Sequence, residues 1–215
     1  MSTKNLPRIF WIGDSVALHY GPYLAQYLHG IAEIEVRQGY LEAIKNLDHP
    51  RGQNCGDSSM VLGFVEVLLR RPEFRPAWVF FNCGLHDIKT DPASGQRQIG
   101  PENYTKNLKK ILRLILEAGK TPVWLTTTPV DDVRHRRYCP EVHRFRRDVD
   151  AYNEKAREVM ETLGVVVFDL HGFTSRLEGE LYKDHVHFTE PIRRLQAAYL
   201  AGRAQGLLQN EGTTT

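Results

Sequence analysis

The stretch FWIGDS, residues 10–15, joins an apolar run to the start of a helical pattern. Residues 8–12 end in apolar side chains, as a buried strand does. Gly13 allows a sharp turn after that strand, and the oxygens of the next two residues can cap a helix. Ser15 is thereby predicted at the carboxyl end of a strand, which is where ligands bind in open α/β sheets. Taken alone, the stretch is more typical of a simple turn with a helix cap.

Five short apolar runs alternate with helical patterns along the chain. Most of the runs are rich in Val, Ile, Phe or Trp and are bounded by Gly, Pro or Asn, which is typical of buried strands. They cover residues 8–12, 32–37, 77–82, 122–127 and 165–169. This alternation predicts an α/β fold with right-handed crossovers and a parallel sheet covered on both faces. The pattern alone does not define the order of the strands.

Helical periodicity is clearest at residues 58–71, 101–118, 148–163 and 190–208. In the last of these segments we expect the apolar side chains of Leu195, Ala198 and Tyr199 to face the core. The length of 215 residues suits a single domain, which we place at residues 1–209. The polar residues 210–215 are predicted to form a disordered tail.

Composition and charge argue against several classes of function. The 25% charged and 41% hydrophobic residues are typical of a globular protein, and a net charge of +2 gives no reason to expect nucleic acid or a membrane as partner. The three cysteines lack C-x-x-C spacing, so we expect neither a disulfide framework nor a structural metal site. No signal-peptide core and no membrane-spanning apolar run is present in the sequence. These features predict a cytoplasmic protein.

Three further stretches place polar side chains where predicted strands end or helices begin. Residues 52–58, GQNCGDS, lead into a helix, and their glycines allow the backbone to approach a ligand closely. Residues 82–87, NCGLHD, follow the third strand. In DHVH, residues 184–187, the aspartate can fold back onto the second histidine, fix its tautomer and stabilise its charged form. Each stretch also has a plain structural explanation, such as a turn, a cap or a surface histidine.

Together, the four stretches resemble the motifs of SGNH or GDSL-type hydrolases, and the resemblance extends over essentially the whole chain. It implies a three-layer α/β/α sandwich with a flavodoxin-like, five-stranded parallel sheet. It also implies that Ser15 is the nucleophile, that His187 is the base and that Asp184 orients it. The backbone amides of Ser15 and Gly56 would then form part of an oxyanion hole.

The third stretch departs from the family pattern. The family has Gly-x-Asn-Asp, whereas this chain has GLHD at residues 84–87, so that His86 replaces an asparagine amide donor. An imidazole N–H can also donate to an oxyanion, and a protonated ring donates more strongly. We therefore expect His86 to complete the oxyanion hole, the alternative being that it packs or binds substrate. Asp87 is expected to hold the adjacent turn, and His185 is expected at the rim of the site.

The resemblance predicts a serine esterase or acylhydrolase that forms an acyl-enzyme on Ser15 without a metal or other cofactor. Small acyl groups, above all O-acetyl groups on carbohydrate, are the expected substrates. The expected partner is therefore a small-molecule or glycan ester. Thioesters, lysophospholipids and simple lipase substrates are open alternatives, and the pattern does not define an oligomeric state.

A strongly basic segment, residues 134–147, leaves the fourth predicted strand on the side of the expected site. Arg134, Arg136 and Arg137 are candidate substrate contacts at a rim that attracts an acidic ester. The interpretation that we favour is a solvated loop and helix start balanced by nearby acidic residues. Asp14 is expected to hold the turn beside the serine and is also a candidate substrate contact.

Two other classes of function fit part of the pattern. A metal-dependent phosphoesterase would use the same residue types, here Asp14, His86, Asp87, Asp184 and His187. The early Asp-x-His ligand pair of calcineurin-like phosphoesterases is missing, however. The second alternative is a non-catalytic carbohydrate- or lipid-binding module, in which the altered third stretch marks lost activity.

Overall fold

A five-stranded parallel sheet forms the centre of the protein, in a computed structural model that describes residues 6–211. The strands are β1 (Arg8–Ile12), β2 (Glu33–Val36), β3 (Trp78–Phe81), β4 (Thr121–Leu125) and β5 (Val166–Phe168). They lie in the order β2-β1-β3-β4-β5, and every neighbouring pair is parallel. This is the doubly wound, flavodoxin-like arrangement, so the predicted fold class is confirmed.

Eight helices connect or follow the strands within the described residues. They are α1 (Ser15–Tyr27), α2 (Tyr40–Ala43), α3 (Ser58–Leu68), α4 (Pro101–Glu117), α5 (Asp132–Tyr138), α6 (Arg146–Thr162), α7 (Leu170–Ser175) and α8 (Glu190–Glu211). The short helices α2, α5 and α7 were not among the predicted segments, because four to seven residues carry too little periodicity to be recognised.

The helices form two layers around the sheet. Helix α1 packs on α8, which also contacts α7, whereas α3 packs on α4 and α4 packs on α6. The central strand β3, with the sequence WVFF, is buried at all four positions, as expected for a strand covered on both faces. Helix α4 buries one face through residues spaced three or four apart, namely Tyr104, Leu108, Ile111, Leu112 and Ile115.

The register of the sheet brings the candidate stretches to one edge. Ile12 at the end of β1 pairs with Phe81 at the end of β3, and Phe81 pairs with Trp124 in β4. Residues that follow these strands therefore emerge side by side. Ser15 and the 82–87 stretch are both at this edge, the carboxyl edge of the sheet, where ligands bind in folds of this class.

Helix α8 differs from the sequence-based expectation in two ways. Leu195 is 45% exposed and Ala198 is exposed, and the core is filled instead by Ile192, Gln196, Ala197, Leu200, Ala201 and Ala204. The helix also continues through Glu211, so the domain boundary predicted at residue 209 falls within it. The rest of the predicted tail, residues 212–215, lies outside the described residues. Within those residues, no helix is both long and apolar enough to cross a membrane.

Candidate active site

Ser15 is the first residue of α1 and follows β1 and a two-residue turn. Asp14 adopts an extended conformation, and its carboxylate accepts a hydrogen bond from the Val16 amide at 2.9 Å. The Ser15 amide, in the first turn, has no intrahelical acceptor. Asp14 is 3% exposed, and burial raises its pKa. The carboxylate is thus placed as a helix cap, as expected, and not as an exposed contact for substrate.

His187 contacts the Ser15 side chain from the loop between α7 and α8. Its Nε2 lies 2.8 Å from Ser15 Oγ, across a separation of 172 positions in the chain. Its Nδ1 lies 2.9 and 3.0 Å from the two carboxylate oxygens of Asp184. An ionised carboxylate only accepts hydrogen bonds, so the proton of a neutral ring is on Nδ1 and Nε2 accepts from the hydroxyl. The structure therefore brings the three predicted residues into one hydrogen-bonded row.

Asp184 is held in place by the backbone of its own loop. Its Oδ1 accepts from the Val186 amide at 3.0 Å and from the His187 amide at 2.8 Å. Burial acts to raise the pKa of Asp184, but the hydrogen bond and charge of His187 and these two amides outweigh it and hold the pKa below its usual range. A permanently ionised carboxylate can orient the imidazole and stabilise its protonated form.

The ring of His19 covers one side of His187. His19 lies one helical turn after Ser15, and the two imidazole rings meet edge to face with centroids 5.0 Å apart. Burial and the neighbouring His187 lower the pKa of His19 to about 3, so that ring is neutral at ordinary pH. His187 and Ser15 are only 1% and 2% exposed. The row is therefore shielded from bulk water, which strengthens electrostatic interactions within it.

Gly56 has the backbone conformation expected of a glycine next to a ligand. Its φ of +70° is in the left-handed region, and a Cβ there would overlap the Met60 sulfur and the Pro50 ring. Its amide, however, donates to Asn54 Oδ1 at 3.1 Å in the free protein. The Gly56 amide, a predicted oxyanion donor, thus already has an acceptor. A ligand oxygen must share this N–H with Asn54 Oδ1 or displace Asn54 from it.

His86 follows β3 and is 1% exposed. Its position depends on Gly84, where φ is +147° and a Cβ would overlap the hydroxyl of Thr127. Burial lowers the pKa of His86 well below its ordinary value, so the neutral ring is the relevant form and the stronger charged donor is not. The buried Nδ1 has no hydrogen-bond partner. An unsatisfied buried nitrogen is costly in a native structure, so Nδ1 is open to an ordered water or to a ligand.

Asp87 binds the backbone at the start of α3. Both of its carboxylate oxygens lie 3.0 Å from the Ser58 amide, which donates to them. Burial is the main reason that the pKa of Asp87 rises to about 7. This places Asp87 in the structural role that we expected.

Of the three arginines predicted as rim contacts, Arg134 is held by the protein itself. Arg134 donates from Nε to the Asp184 carbonyl at 2.6 Å and from a terminal nitrogen to the Tyr182 carbonyl at 2.9 Å. Its guanidinium therefore supports the loop that carries Asp184 and His187. Arg136 and Arg137 are exposed on α5, which fits the solvated surface that we favoured.

A buried polar cluster beside the row was not predicted. His185 is 7% exposed, so the expectation that it lies at the rim is wrong, and its Nε2 is 3.1 Å from Asp48 Oδ1. Arg144, 2% exposed, donates to the Leu85 carbonyl and contacts His135 Nε2. Nothing in the local sequence distinguishes the one arginine of the basic segment that is buried.

The same cluster contains the only group of possible metal ligands among the described residues. Ligand atoms of His135, Cys139 and His185 lie within 4.8 Å of one another. Arg144 can only donate, so His135 Nε2 accepts and the ring proton is on Nδ1. His135 thus has the Arg144 guanidinium at Nε2 and a proton on Nδ1, which leaves no lone pair for a metal ion. The cluster is therefore suited to a hydrogen-bond network and not to a cation. The residues of the two-metal alternative do not converge into such a group within residues 6–211.

Comparison with solved structures supports this description of the fold. A lipase/acylhydrolase from Enterococcus faecalis is 17% identical, with a TM-score of 0.61, and the match covers 94% of this chain and 96% of that one. An acetyl xylan esterase is 12% identical with a TM-score of 0.66, covering 91% and 98%. A carbohydrate acetylesterase from Sinorhizobium meliloti is 13% identical with a TM-score of 0.59, covering 94% and 99%. Among curated proteins, none matches this chain.

The sheet order, the helical layers and the placement of the serine define the α/β fold of the SGNH hydrolases. The model of the GDSL-like lipase/acylhydrolase family matches residues 11–195, most of the described chain. The protein belongs to that family.

Proposed function

We propose that this protein is a serine esterase that removes small acyl groups, above all O-acetyl groups, from carbohydrate or similar small alcohols. The observation that carries the proposal is the row in which Ser15 Oγ is 2.8 Å from His187 Nε2 while Nδ1 contacts Asp184. A serine hydroxyl is a weak nucleophile until a base removes its proton, and this row supplies the base and its orienting carboxylate.

In the first half of the reaction His187 accepts the hydroxyl proton as Ser15 Oγ attacks the ester carbonyl carbon. The negative charge that develops on the carbonyl oxygen is stabilised by the Ser15 amide, by the Gly56 amide in place of its bond to Asn54, and by a ring N–H of His86. The protonated His187 then donates to the leaving alcohol, and the C–O bond breaks to leave an acyl group on Ser15.

In the second half water replaces the alcohol. His187 accepts a proton from the water while the water oxygen attacks the acyl carbon. The same donors stabilise the second tetrahedral intermediate. The proton returns from His187 to Ser15 Oγ as the carboxylic acid leaves. Asp184 stays ionised throughout, consistent with its lowered pKa, and stabilises the imidazolium in both halves.

Two observations support a small acyl group. Ser15, His187 and His86 are each at most 2% exposed, so the acyl group would enter an enclosed site, which suits a small group better than a long chain. Among the similar structures, one is described as an acetyl xylan esterase and another as a carbohydrate acetylesterase. Both substrates are O-acetyl esters of carbohydrate, which is the chemistry proposed for this chain.

The test is hydrolysis of p-nitrophenyl esters of increasing chain length by the wild type and by Ser15→Ala. We expect the acetyl ester to be the best substrate and Ser15→Ala to lower kcat by about 10⁶-fold, leaving only the residual rate that binding and the oxyanion hole supply. Ser94→Ala, a change on an exposed loop, is the matched control and should keep wild-type kinetics. A Ser15→Ala protein as active as the wild type, or binding of acetylated sugar without turnover by the wild type, would overturn the proposal.

A further inference from the structure

Arg144 is a buried cation next to the candidate site, and the proposed reaction does not use it directly. Its guanidinium is 2% exposed. Nε donates to the Leu85 carbonyl at 2.8 Å, and one terminal nitrogen lies 2.9 Å from His135 Nε2. The other terminal nitrogen is 3.8 Å from Asp48 Oδ1. A guanidinium in a water-poor interior is tolerated only with such partners, so its position is closely defined.

From Arg144 the contacts lead in two directions. Leu85 directly precedes His86, so a fixed Leu85 carbonyl also fixes the peptide plane from which the His86 backbone continues. On the other side, Asp48 Oδ1 is 3.1 Å from His185 Nε2, and His185 Nδ1 is 3.7 Å from Asp184 Oδ1. Arg144 therefore connects the loop of the proposed oxyanion donor, by a hydrogen bond, with the loop of the proposed base, where the 3.8 and 3.7 Å contacts are electrostatic and only the Asp48–His185 contact has hydrogen-bond length.

The opposite charges of Asp48 and Arg144 stabilise this connection. Burial acts to raise the pKa of Asp48, but the hydrogen bond from His185 and the charges of His185 and Arg144 outweigh it and hold the pKa below its usual range. Asp48 is thus ionised opposite the guanidinium. A planar guanidinium presents several N–H donors in fixed directions, so it can bond a carbonyl, an imidazole and a carboxylate at once, which a lysine cannot do.

We propose that Arg144 is a positioning residue that holds His86 and the Asp184–His187 pair in the relative geometry that esterase chemistry requires. It acts through the Leu85 carbonyl on one side and through Asp48 and His185 on the other. The inference rests on the proposed function, since it assigns Arg144 to the same reaction. A displacement of about 1 Å in a catalytic group can cost about 100-fold in rate, which sets the size of the expected effect.

The kinetic test compares Arg144→Met and Arg144→Lys with the wild type on p-nitrophenyl acetate. We expect Arg144→Met to lower kcat about 100-fold with little change in KM, because the reacting groups lose alignment while substrate contacts stay. Arg144→Lys keeps the charge without the planar donors and should recover only part of the loss. The matched control is Arg113→Met, an exposed position on α4, which should leave kcat unchanged.

Two further readouts separate positioning from a general loss of stability. Free guanidinium at low concentration should restore part of the activity of Arg144→Ala but not affect the wild type or Arg113→Met. The side chain of Asp48 is 39% exposed, and Asp48→Ala should lower kcat in the same way as Arg144→Met. The double variant Asp48→Ala/Arg144→Met should be no slower than the slower of the two single variants. Additive losses, an unchanged kcat in Arg144→Met, or a failure of guanidinium to restore activity to Arg144→Ala would each refute the positioning role.

A measurement without substrate keeps this inference distinct from the proposed function. In proton NMR, the His187 Nδ1 proton that is shared with Asp184 gives a downfield resonance, which should shift or broaden in Arg144→Met and stay in place in Arg113→Met. If the wild type shows no Ser15-dependent hydrolysis, the esterase proposal fails. Independently of that result, a His187 resonance that is unchanged in Arg144→Met overturns the role of Arg144. If the wild type is active and neither kcat nor the resonance responds to Arg144→Met, the inference alone fails.

Discussion

At the scale of single residues, the proposed chemistry depends on one substitution within the family pattern, the histidine at position 86. A neutral imidazole has one N–H and one lone pair, whereas an asparagine amide has two N–H donors. His86 can therefore donate to an oxyanion only in the right tautomer. Its lowered pKa removes the charged form from consideration, so the donor role depends on which ring nitrogen carries the proton.

Replacing His86 tests whether it serves as that donor. We expect His86→Ala to lower kcat on p-nitrophenyl acetate by about 10²–10³-fold with a smaller change in KM, because an oxyanion donor acts in the transition state. His86→Asn restores the amide of the family pattern and should keep far more activity than His86→Ala. The reverse order, or an undiminished kcat in His86→Ala, would show that His86 only packs or binds substrate.

At the scale of secondary-structure elements, the site is built from the ends of strands and the beginnings of helices. Asp14 caps α1 directly before Ser15, and Asp57 caps α3 through the amides of Ser59 and Met60. These elements could be predicted from the sequence because caps, turns and buried strands leave local patterns. The buried face of α8 could not, because it combines Ile192 and Leu200 with alanines and a glutamine, and contacts with α1 and α7 decide which side is covered.

The start of α3 gives a pH-dependent prediction. The pKa of Asp87 is raised by burial to about 7, above an unfolded value of about 3.8, so the folded state binds a proton that the unfolded state has released. Its contribution to stability is complete below about pH 4 and is lost as the pH rises through 7. Relative to Asp87→Asn, which is always neutral, the wild type should lose roughly 4 kcal/mol of its free energy of unfolding over this range.

Urea unfolding between pH 4 and 7.5 measures this difference. Glu66→Gln, an exposed change on the same helix, is the control and should follow the wild type at every pH. A gap between the wild type and Asp87→Asn that stays constant, or that favours the wild type more as the pH rises, would contradict the assignment of a protonated Asp87.

At the scale of the whole molecule, three segments far apart in the chain meet at one edge of the sheet. Lys89 Nζ donates to the Asp48 carbonyl at 2.8 Å, and Thr90 pairs with His143 through two backbone hydrogen bonds. The loop after β2, the loop after β3 and the segment after α5 are thereby tied together. The arrangement of these loops is a product of the whole fold and not of any one element.

The assembly also distinguishes a serine hydrolase from a metal-dependent phosphoesterase. Asp14, Asp87 and Asp184 each accept hydrogen bonds from backbone amides, and they point to different helices or loops. We therefore expect a fluorophosphonate to abolish esterase activity by forming one adduct on Ser15, detected by peptide mass. EDTA should leave activity unchanged. Loss of activity in EDTA that a divalent cation restores, with no adduct on Ser15, would favour the phosphoesterase.

The amino-acid sequence by itself determined the alternation of strands and helices and the placement of Ser15 and His86 after strands, because these depend on periodicity and turn chemistry within a few residues. It also marked Asp184 and His187 as a pair, since three positions in one loop suffice for contact. Only the tertiary structure decided the strand order, the contact between Ser15 and His187, and the burial of Arg144. These features depend on packing between segments far apart in the chain, which leaves no trace in local composition or spacing.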